Sequence, residues 1–324
     1  MRPIVTAFRP GGLILGYHRI AEVSWDPLGI CIRPSNFQQQ LEALVELCTP
    51  VSLQTLVASL REGRNVQDMV ALTFDDGYRD FIDNAQPELD RLGIPATVFI
   101  ATGFSGQTYW WDEIARYFRP DKQTSSELTL RWDDHSTVCV YSDLTSERGA
   151  ARATQDICRE LSMRSEVERA FIMEQLRHFA AIPCDPKTLP GTMSVNELRK
   201  LAELPNIEIG SHTVTHPVLA SLTVAQQRQE IELSKRHLQD ATGSQNVPGL
   251  SYPNGSCSAQ ICRQVAEAGY EYACASQQDV VRKGMDLYRL PRLWVPDADH
   301  RKFRAWLSSW HGVRIKSRSS RHSG

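Results

Sequence analysis

The chain has 324 residues, 41% of them hydrophobic, which is enough to bury one large core or two smaller ones. Its 36 Lys and Arg nearly balance its 38 Asp and Glu, for a formal net charge of −2. A nearly neutral chain lacks the positive charge that binds nucleic acid, so we expect no nucleic-acid partner.

The amino end and the cysteines bear on the cellular compartment. The first twenty residues, MRPIVTAFRPGGLILGYHRI, contain no apolar run long enough for a signal peptide. No stretch of the sequence approaches the roughly 18 apolar residues that a membrane-spanning helix requires. The eight cysteines are scattered, without a CxxC pair. We therefore expect reduced, structural cysteines and a cytoplasmic protein.

Short apolar runs alternate with helical patterns along the chain, which predicts parallel strands with helices outside them. The strand candidates are LILGYH (13–18), VALTFDD (70–76), ATVFIAT (96–102), IEIGSHT (207–213), GLSYP (249–253), YACAS (272–276) and LPRLWV (290–295). Such strands form either an open doubly wound sheet or a distorted barrel, and both bind ligands at the carboxyl ends of the strands. The tips GYH, FDD, SHT and YP are therefore expected near one another.

Capping patterns indicate where helices begin and end. Ser35 and Gln38 match the capping box that begins a helix, and Thr223 and Gln226 match it again. The second of these helices is expected to end at Gly243, since glycine favours the left-handed backbone that terminates helices.

The alternation of strands and helices is interrupted at about residues 105–193. This stretch contains TYWWDEIARYF, a predicted hairpin in ELTLRWDDHSTVCVYSDL and two polar helical patterns at 148–162 and 165–181. We interpret it as a mostly helical insertion over the mouth of the site. The whole chain, 1–324, is then a single domain.

The carboxyl end combines an apolar helical stripe with a basic tail at about 312–324. Phe303, Trp306, Leu307 and Trp310 recur at i, i+3, i+4 and i+7. The main interpretation is a last helix docked on the core. The alternative is a helix resting on an anionic membrane surface, which would make the protein peripheral to the membrane.

Two pairs of polar residues at predicted strand ends indicate a metal site. Asp75 and Asp76 follow a buried strand although adjacent carboxylates repel, and His212 and His216 lie four residues apart in SHTVTHP. If a helix begins there, both imidazoles share one face, about 5–6 Å apart at Cβ. Two histidines and one carboxylate are typical of catalytic zinc or iron(II) sites. Taken singly, HxxxH is also typical of surface histidines and DDG of turns.

The motifs TFDDG, HTVTH and YPNG, in this order, resemble those of the polysaccharide deacetylase (NodB-homology) family, carbohydrate esterase family 4. The resemblance covers roughly residues 10–300. It implies a distorted (β/α)7 barrel that removes N- or O-acyl groups from sugars with a divalent metal, commonly zinc. It also implies Asp75 as the general base and Asp76, His212 and His216 as the metal ligands.

The other family motifs are less regular here. The resemblance implies the backbone N–H of Asn254 as a donor to the oxyanion. Ser251 lies where the family usually has the arginine that orients the base, so Arg292 in LPRLWV is our candidate to orient Asp75 instead. LILGYHRI resembles the leaving-group histidine motif moved to the start of the domain, as in a circularly permuted branch. His18 is then the candidate general acid.

Three functional hypotheses follow. The first is a zinc-dependent deacetylase of an N-acetylated amino sugar in a polysaccharide or glycan precursor, which fits exopolysaccharide biosynthesis. Tyr252, Trp110 and Trp111 are its candidate substrate-binding residues, although packing of the insertion is an alternative role for the tryptophans. The second hypothesis, motivated by Ser251, is a carbohydrate-binding protein that has lost catalysis. The third is a hydrolase of a non-sugar amide or a formamide.

Overall fold

The computed structural model describes residues 11–122, 125–132, 137–180 and 189–311. Its strands are β1 (Leu13–Tyr17), β2 (Arg19–Ile20), β3 (Cys31–Ile32), β4 (Thr49–Pro50), β5 (Met69–Phe74), β6 (Ala96–Ile100), β7 (Glu127–Trp132), β8 (Thr137–Ser142), β9 (Ile207–Ser211), β10 (Gly249–Ser251), β11 (Tyr272–Cys274) and β12 (Leu293–Trp294). Its α-helices are α1 (Pro34–Leu47), α2 (Leu53–Arg61), α3 (Gln86–Leu92), α4 (Trp110–Tyr117), α5 (Glu147–Ser162), α6 (Glu166–Ala180), α7 (Val195–Ala202), α8 (Val224–Thr242), α9 (Ala259–Glu267) and α10 (His300–His311).

Parallel strands form one curled sheet in the order β11-β10-β9-β6-β5-β1-β12, with β4 beside β5. The segment that leads into β12 joins the two edges of this sheet. Its Leu290 bridges Cys274 of β11, and its Leu293 pairs with Leu15 of β1. The result is the distorted (β/α)7 barrel expected from the sequence. All of the predicted barrel strands are present, and each ends one or two residues before its expected end.

Both faces of the sheet are buried, as is usual for parallel strands. Leu13 and Leu15 of β1 belong to the core between the sheet and the outer helices, whereas Ile14 lies in a separate buried cluster with Phe99, Tyr272 and residues of α2. Gly16 lies directly against the Trp294 ring. A Cβ atom at position 16 would come within 2.6 Å of that ring. A larger residue there would displace Trp294.

The helical insertion packs on the rim of the barrel through a core of its own. Strands β7 and β8 form the expected antiparallel hairpin; α6 contacts β7, α5 contacts β8, and α4 packs against both helices. Gln175 of α6 bonds both backbone groups of Arg131, at 3.0 and 2.9 Å, and so covers the outer edge of β7. The insertion core is continuous with Tyr78 and Ala101 of the barrel. The insertion therefore forms one wall above the strand ends.

Helix boundaries agree with the capping patterns except at α1. This helix begins at Pro34 with no side-chain cap, so the capping box predicted at Ser35 is wrong. Proline has a fixed φ and no N–H to satisfy, which favours it in the first turn of a helix and moves Ser35 inside. The capping box at Thr223 and the left-handed end at Gly243 are both confirmed.

Helix α10 is docked on the core beside α1. Phe303 and Leu307 are fully buried, and Trp306 and Trp310 are partly buried against the same core. The apolar stripe of this helix therefore faces protein, as in the main interpretation. The basic tail at about 312–324 lies outside the described residues. Within the described ranges, no helix is both long enough and apolar enough to cross a membrane.

We expect Leu307→Ala to lower the free energy of unfolding by about 2–5 kcal/mol, because it leaves a cavity under α10. Ser309→Ala, on the exposed side of the same helix, should change it by less than about 0.5 kcal/mol. Urea denaturation followed by circular dichroism measures both. Equal stability of the two variants would contradict the docking of α10.

Candidate active site

Two neighbouring carboxylates lie just past the end of β5 and are nearly inaccessible to solvent. Asp75 and Asp76 are 2% and 4% exposed. The N–H of Asp75 still bonds the carbonyl of Tyr17 at 2.9 Å, whereas Asp76 has a φ of 72°. A left-handed backbone is uncommon and strained for a residue with a side chain. The side chains of these neighbours therefore have different partners. Asp75 contacts Arg292, whereas Asp76 contacts the two histidines.

The carboxylate of Asp76 and the imidazoles of His212 and His216 form a set that fits one divalent ion. Oδ1 of Asp76 lies 3.5 Å from Nε2 of His212 and 3.4 Å from Nε2 of His216. Around a tetrahedral ion with each ligand atom at about 2.0–2.2 Å, neighbouring ligand atoms lie roughly 3.4 Å from one another. Oδ1 of Asp76 is buried and has no hydrogen-bond partner within the described part of the chain. Because buried polar atoms are normally satisfied, this oxygen is suited to bind a cation.

The electrostatics of the set also favour a cation. Burial and the neighbouring charge of Asp75 raise the pKa of Asp76 well above its ordinary value. Burial lowers the pKa of His212 and of His216, so both imidazoles are neutral and able to act as ligands. Nδ1 of His212 lies 2.7 Å from the carbonyl oxygen of Ser251, and donation there leaves Nε2 free toward Asp76.

The two histidines converge through a loop rather than a helix, so the predicted shared helical face is wrong. Residues 212–218 form no helical turn, and Thr213 and His216 have φ values of 67° and 55°. The imidazole rings nevertheless meet, with 4.7 Å between their centroids. β-Branched residues between the histidines lower the helix propensity of this segment.

Glu230 of α8 holds this loop, and the sequence analysis missed it. Its carboxylate accepts hydrogen bonds from the N–H groups of Val214 at 2.7 Å and Thr215 at 2.9 Å, and from the Thr215 hydroxyl at 2.7 Å. The side chain therefore satisfies backbone donors of the segment between His212 and His216. Glu230 is one of several acids on a polar helix, so the sequence contains no signal for this role.

Arg292 pairs with Asp75 in a buried bidentate contact. Its Nη1 and Nη2 donate to Oδ1 and Oδ2 of Asp75, each at 2.7 Å. Nη2 also donates to Oγ of Ser251 at 2.8 Å, and Ser251 donates to Asp75 at 3.1 Å. Burial alone would raise the pKa of Asp75, but the charge and the hydrogen bonds of Arg292 hold it below its ordinary value. Asp75 is therefore an oriented, ionised carboxylate.

A cavity of about 330 Å³ opens onto these groups, and every site residue predicted from the sequence lines it. They are His18, Asp75, Asp76, Trp110, Trp111, His212, His216, Tyr252, Asn254 and Arg292. Residues that follow β1, β5, β9 and β10 thus meet at one place with residues from the segment before β12 and from the insertion.

His18 and Asn254 lie in the wall around the charged groups. The His18 ring stacks on Trp294, with 4.8 Å between centroids and 19° between planes, and burial lowers its pKa to about 4. Asn254 is exposed and has a φ of 55°. It is therefore a third left-handed residue with a side chain in the wall, besides Asp76 and His216.

The aromatic candidates differ in how much of each ring is available to a ligand. Trp111 donates to the Tyr78 hydroxyl at 2.8 Å and stacks on Tyr109 at 4.0 Å, so it packs the insertion against the barrel. Tyr252 is buried and donates to a backbone carbonyl at 2.9 Å. Trp110 is partly exposed, so its ring is the most accessible of the three.

Comparison with known proteins gives a consistent match. A family model described as polysaccharide deacetylase matches residues 62–273 of the chain. The chain is 27% identical over 118 residues to the putative polysaccharide deacetylase YxkH of Bacillus subtilis (strain 168). This alignment spans 36% of the chain and 42% of that relative, which is less than half of either protein.

Solved structures share the fold at low sequence identity. IcaB from Ammonifex degensii has a TM-score of 0.61 and 16% identity, covering 94% of this chain and 99% of that one. The Streptococcus pyogenes deacetylase PplD, in complex with acetate, has a TM-score of 0.57 and 18% identity, covering 89% and 94%. These structures support the distorted barrel assigned above.

We expect Arg292→Met to lower the free energy of unfolding by about 3–5 kcal/mol, because it leaves Asp75 buried without its counter-ion. Arg289→Met removes an exposed arginine three residues earlier and should have little effect. Chemical denaturation of the two variants measures the difference. Similar losses of stability in both variants would contradict the importance of the buried pair.

We expect Glu230→Ala to weaken binding of zinc by about 10–100-fold, because it frees the loop between the histidines. Glu232→Ala, on the same helix, is the matched control. Competition with a chromogenic chelator measures the affinity. A Glu230→Ala protein with native affinity for zinc would contradict the role of this contact.

The zinc affinity of the unchanged protein should also depend on pH. It should fall about tenfold per pH unit below the raised pKa of Asp76, because zinc binding then displaces a proton from this carboxylate.

Proposed function

The chain belongs to the polysaccharide deacetylase family, and we propose that it hydrolyses the N-acetyl group of an amino sugar in a polysaccharide or glycan precursor, with zinc as its metal. The observation that carries this proposal is the pairing of an oriented carboxylate with an adjacent metal-ligand set. Asp75, held by Arg292, lies beside Asp76 at the base of one cavity. This arrangement combines a base and a cation site, as metal-dependent amide hydrolysis requires.

The residues around the cavity have distinct roles in this reaction. A divalent ion held by Asp76, His212 and His216 would polarise the acetyl carbonyl and lower the pKa of the attacking water. Asp75 accepts the proton of that water, because its pairing with Arg292 keeps it ionised and fixes its direction.

Two further residues of the cavity lining serve the oxyanion and the leaving group. The backbone N–H of Asn254 donates a hydrogen bond to the oxygen that becomes negative during attack. His18 protonates the departing amine. Burial lowers the pKa of His18 to about 4, so the imidazole is neutral at rest. The proton that Asp75 takes from the attacking water is therefore the one that His18 later delivers to the amine.

Arg292 argues against the hypothesis of a binding protein that has lost catalysis. That hypothesis rests on Ser251 replacing the usual arginine, and Arg292 supplies a guanidinium to Asp75 from the segment before β12. A hydrolase of a non-sugar amide would use the same groups and is tested with other amides. A cytoplasmic location and a contact of the basic tail with an anionic membrane surface stay predictions.

We expect the zinc-loaded protein to release acetate from N-acetylglucosamine oligosaccharides, and chelation to abolish the release. Asp75→Asn should lower kcat by about 10²–10⁴-fold, because it removes the general base. Asp83→Asn, which changes an exposed carboxylate eight residues later, should retain activity. Acetate is measured by an enzyme-coupled assay, with simple amides and formamides as a second panel.

Each alternative has its own result. Binding of the oligosaccharide by calorimetry without acetate release would select the non-catalytic protein. Hydrolysis restricted to the simple amides would select the non-sugar hydrolase. Full activity in Asp75→Asn would exclude this carboxylate as the base.

A further inference from the structure

Helix α5 of the insertion carries a stripe of arginines. Arg148, Arg152 and Arg159 are spaced by four and seven residues, which places them within about 40° of one another around the helix. They line a second cavity, of about 710 Å³, between α5 and β8. Arg164 and Trp132 line the same cavity, with the guanidinium of Arg164 5.6 Å from the Trp132 ring centroid. We refer to this cavity, lined by Arg148, Arg152, Arg159, Arg164 and Trp132, as the arginine groove.

The arginine groove adjoins the candidate active site. Arg159 lines both cavities, and its helix neighbours Gln155, Cys158 and Ser162 line the active-site cavity. From Arg159 back to Arg148 the stripe extends about 16 Å along the helix axis. A chain whose N-acetyl group lies beside Asp75 can therefore continue over α5 into the groove.

The lining of the arginine groove has a small excess of positive charge, and one of its arginines, Arg164, also pairs with Glu168 outside the lining at 3.3 Å. Four arginines line it against three acids, which are Asp143, Asp156 and Glu160. The carboxylate of Asp156 forms ion pairs with both Arg159, at 2.8 Å, and Arg152, at 3.8 Å. The side chains of both arginines are largely exposed. Such exposed ion pairs contribute only about 0.2–1 kcal/mol, so the arginines can exchange them for a ligand. Guanidinium groups match carboxylates and phosphates through paired hydrogen bonds.

We propose that the arginine groove binds an acidic glycan, whose carboxylate or phosphate groups contact α5 while an N-acetyl group enters the active-site cavity. This inference rests on the proposed function and specifies its substrate class. Deacetylation converts each neutral N-acetyl group into an ammonium. A neutral glycan would thus become a polycation that the arginines repel, whereas regularly spaced acidic groups keep the product chain attracted.

The test compares three oligosaccharides of equal length on the zinc-loaded protein. One contains only N-acetylglucosamine, one alternates it with glucuronate, and one links N-acetylhexosamines through phosphodiesters. Calorimetry at low and high salt should show that at least one acidic oligosaccharide binds about tenfold more tightly than the neutral one, with the difference lost at high salt. The better acidic ligand identifies the group that is recognised. Equal affinity for all three would overturn the proposal.

Variants locate the binding. Arg148→Gln combined with Arg152→Gln should weaken binding of the acidic oligosaccharide about tenfold and remove the preference over the neutral one. Arg228→Gln, an exposed arginine on α8 that also forms helix-surface ion pairs, is the matched control and should change nothing. An equal loss in control and double variant, or none in the double variant, would overturn the proposal.

Acetate release separates this inference from the proposed function. Release from the neutral oligosaccharide without any acidic preference would overturn the arginine groove and leave the deacetylase function. Acidic preference through α5 without release of acetate from any sugar would leave the groove as a glycan-binding site and contradict the deacetylase.

Discussion

The buried pair between Asp75 and Arg292 is the interaction on which the site depends. Two adjacent carboxylates cannot both stay ionised in a buried place unless each has a counter-charge. Arg292 supplies that charge to Asp75 through two hydrogen bonds of 2.7 Å. Asp76 has a raised pKa and an oxygen without a hydrogen-bond partner among the described residues, and it lies beside two histidines in a set that could hold a cation. The two aspartates therefore differ in their surroundings, one facing a guanidinium and the other two imidazoles.

The closure of the barrel makes this pair possible. The segment 290–294 bonds β11 at one end and β1 at the other, and so carries Arg292 toward the strand that ends in Asp75. The strands stop before the site residues, which turn away from the sheet with left-handed backbones at Asp76 and His216. Such conformations persist only where surrounding contacts hold them. Here Glu230 and the sheet itself provide those contacts.

The insertion determines what can reach this chemistry. The barrel contributes the charged groups, whereas α4 and α5 contribute the outer wall, including Trp110 and Arg159. These wall residues lie between β6 and β9 in the chain, outside the family motifs.

Local patterns in the sequence determined the barrel strands, the ends of α8 and which candidate residues lie at the strand ends, because apolar runs, capping boxes and short motifs are encoded by neighbouring residues. Only the tertiary structure decided three features of the site. The histidines meet through a loop, Glu230 holds that loop, and Arg292 contacts a carboxylate 217 residues away. Each of these depends on contacts between distant segments, whose geometry follows from how the sheet curls and closes and is not contained in the local sequence.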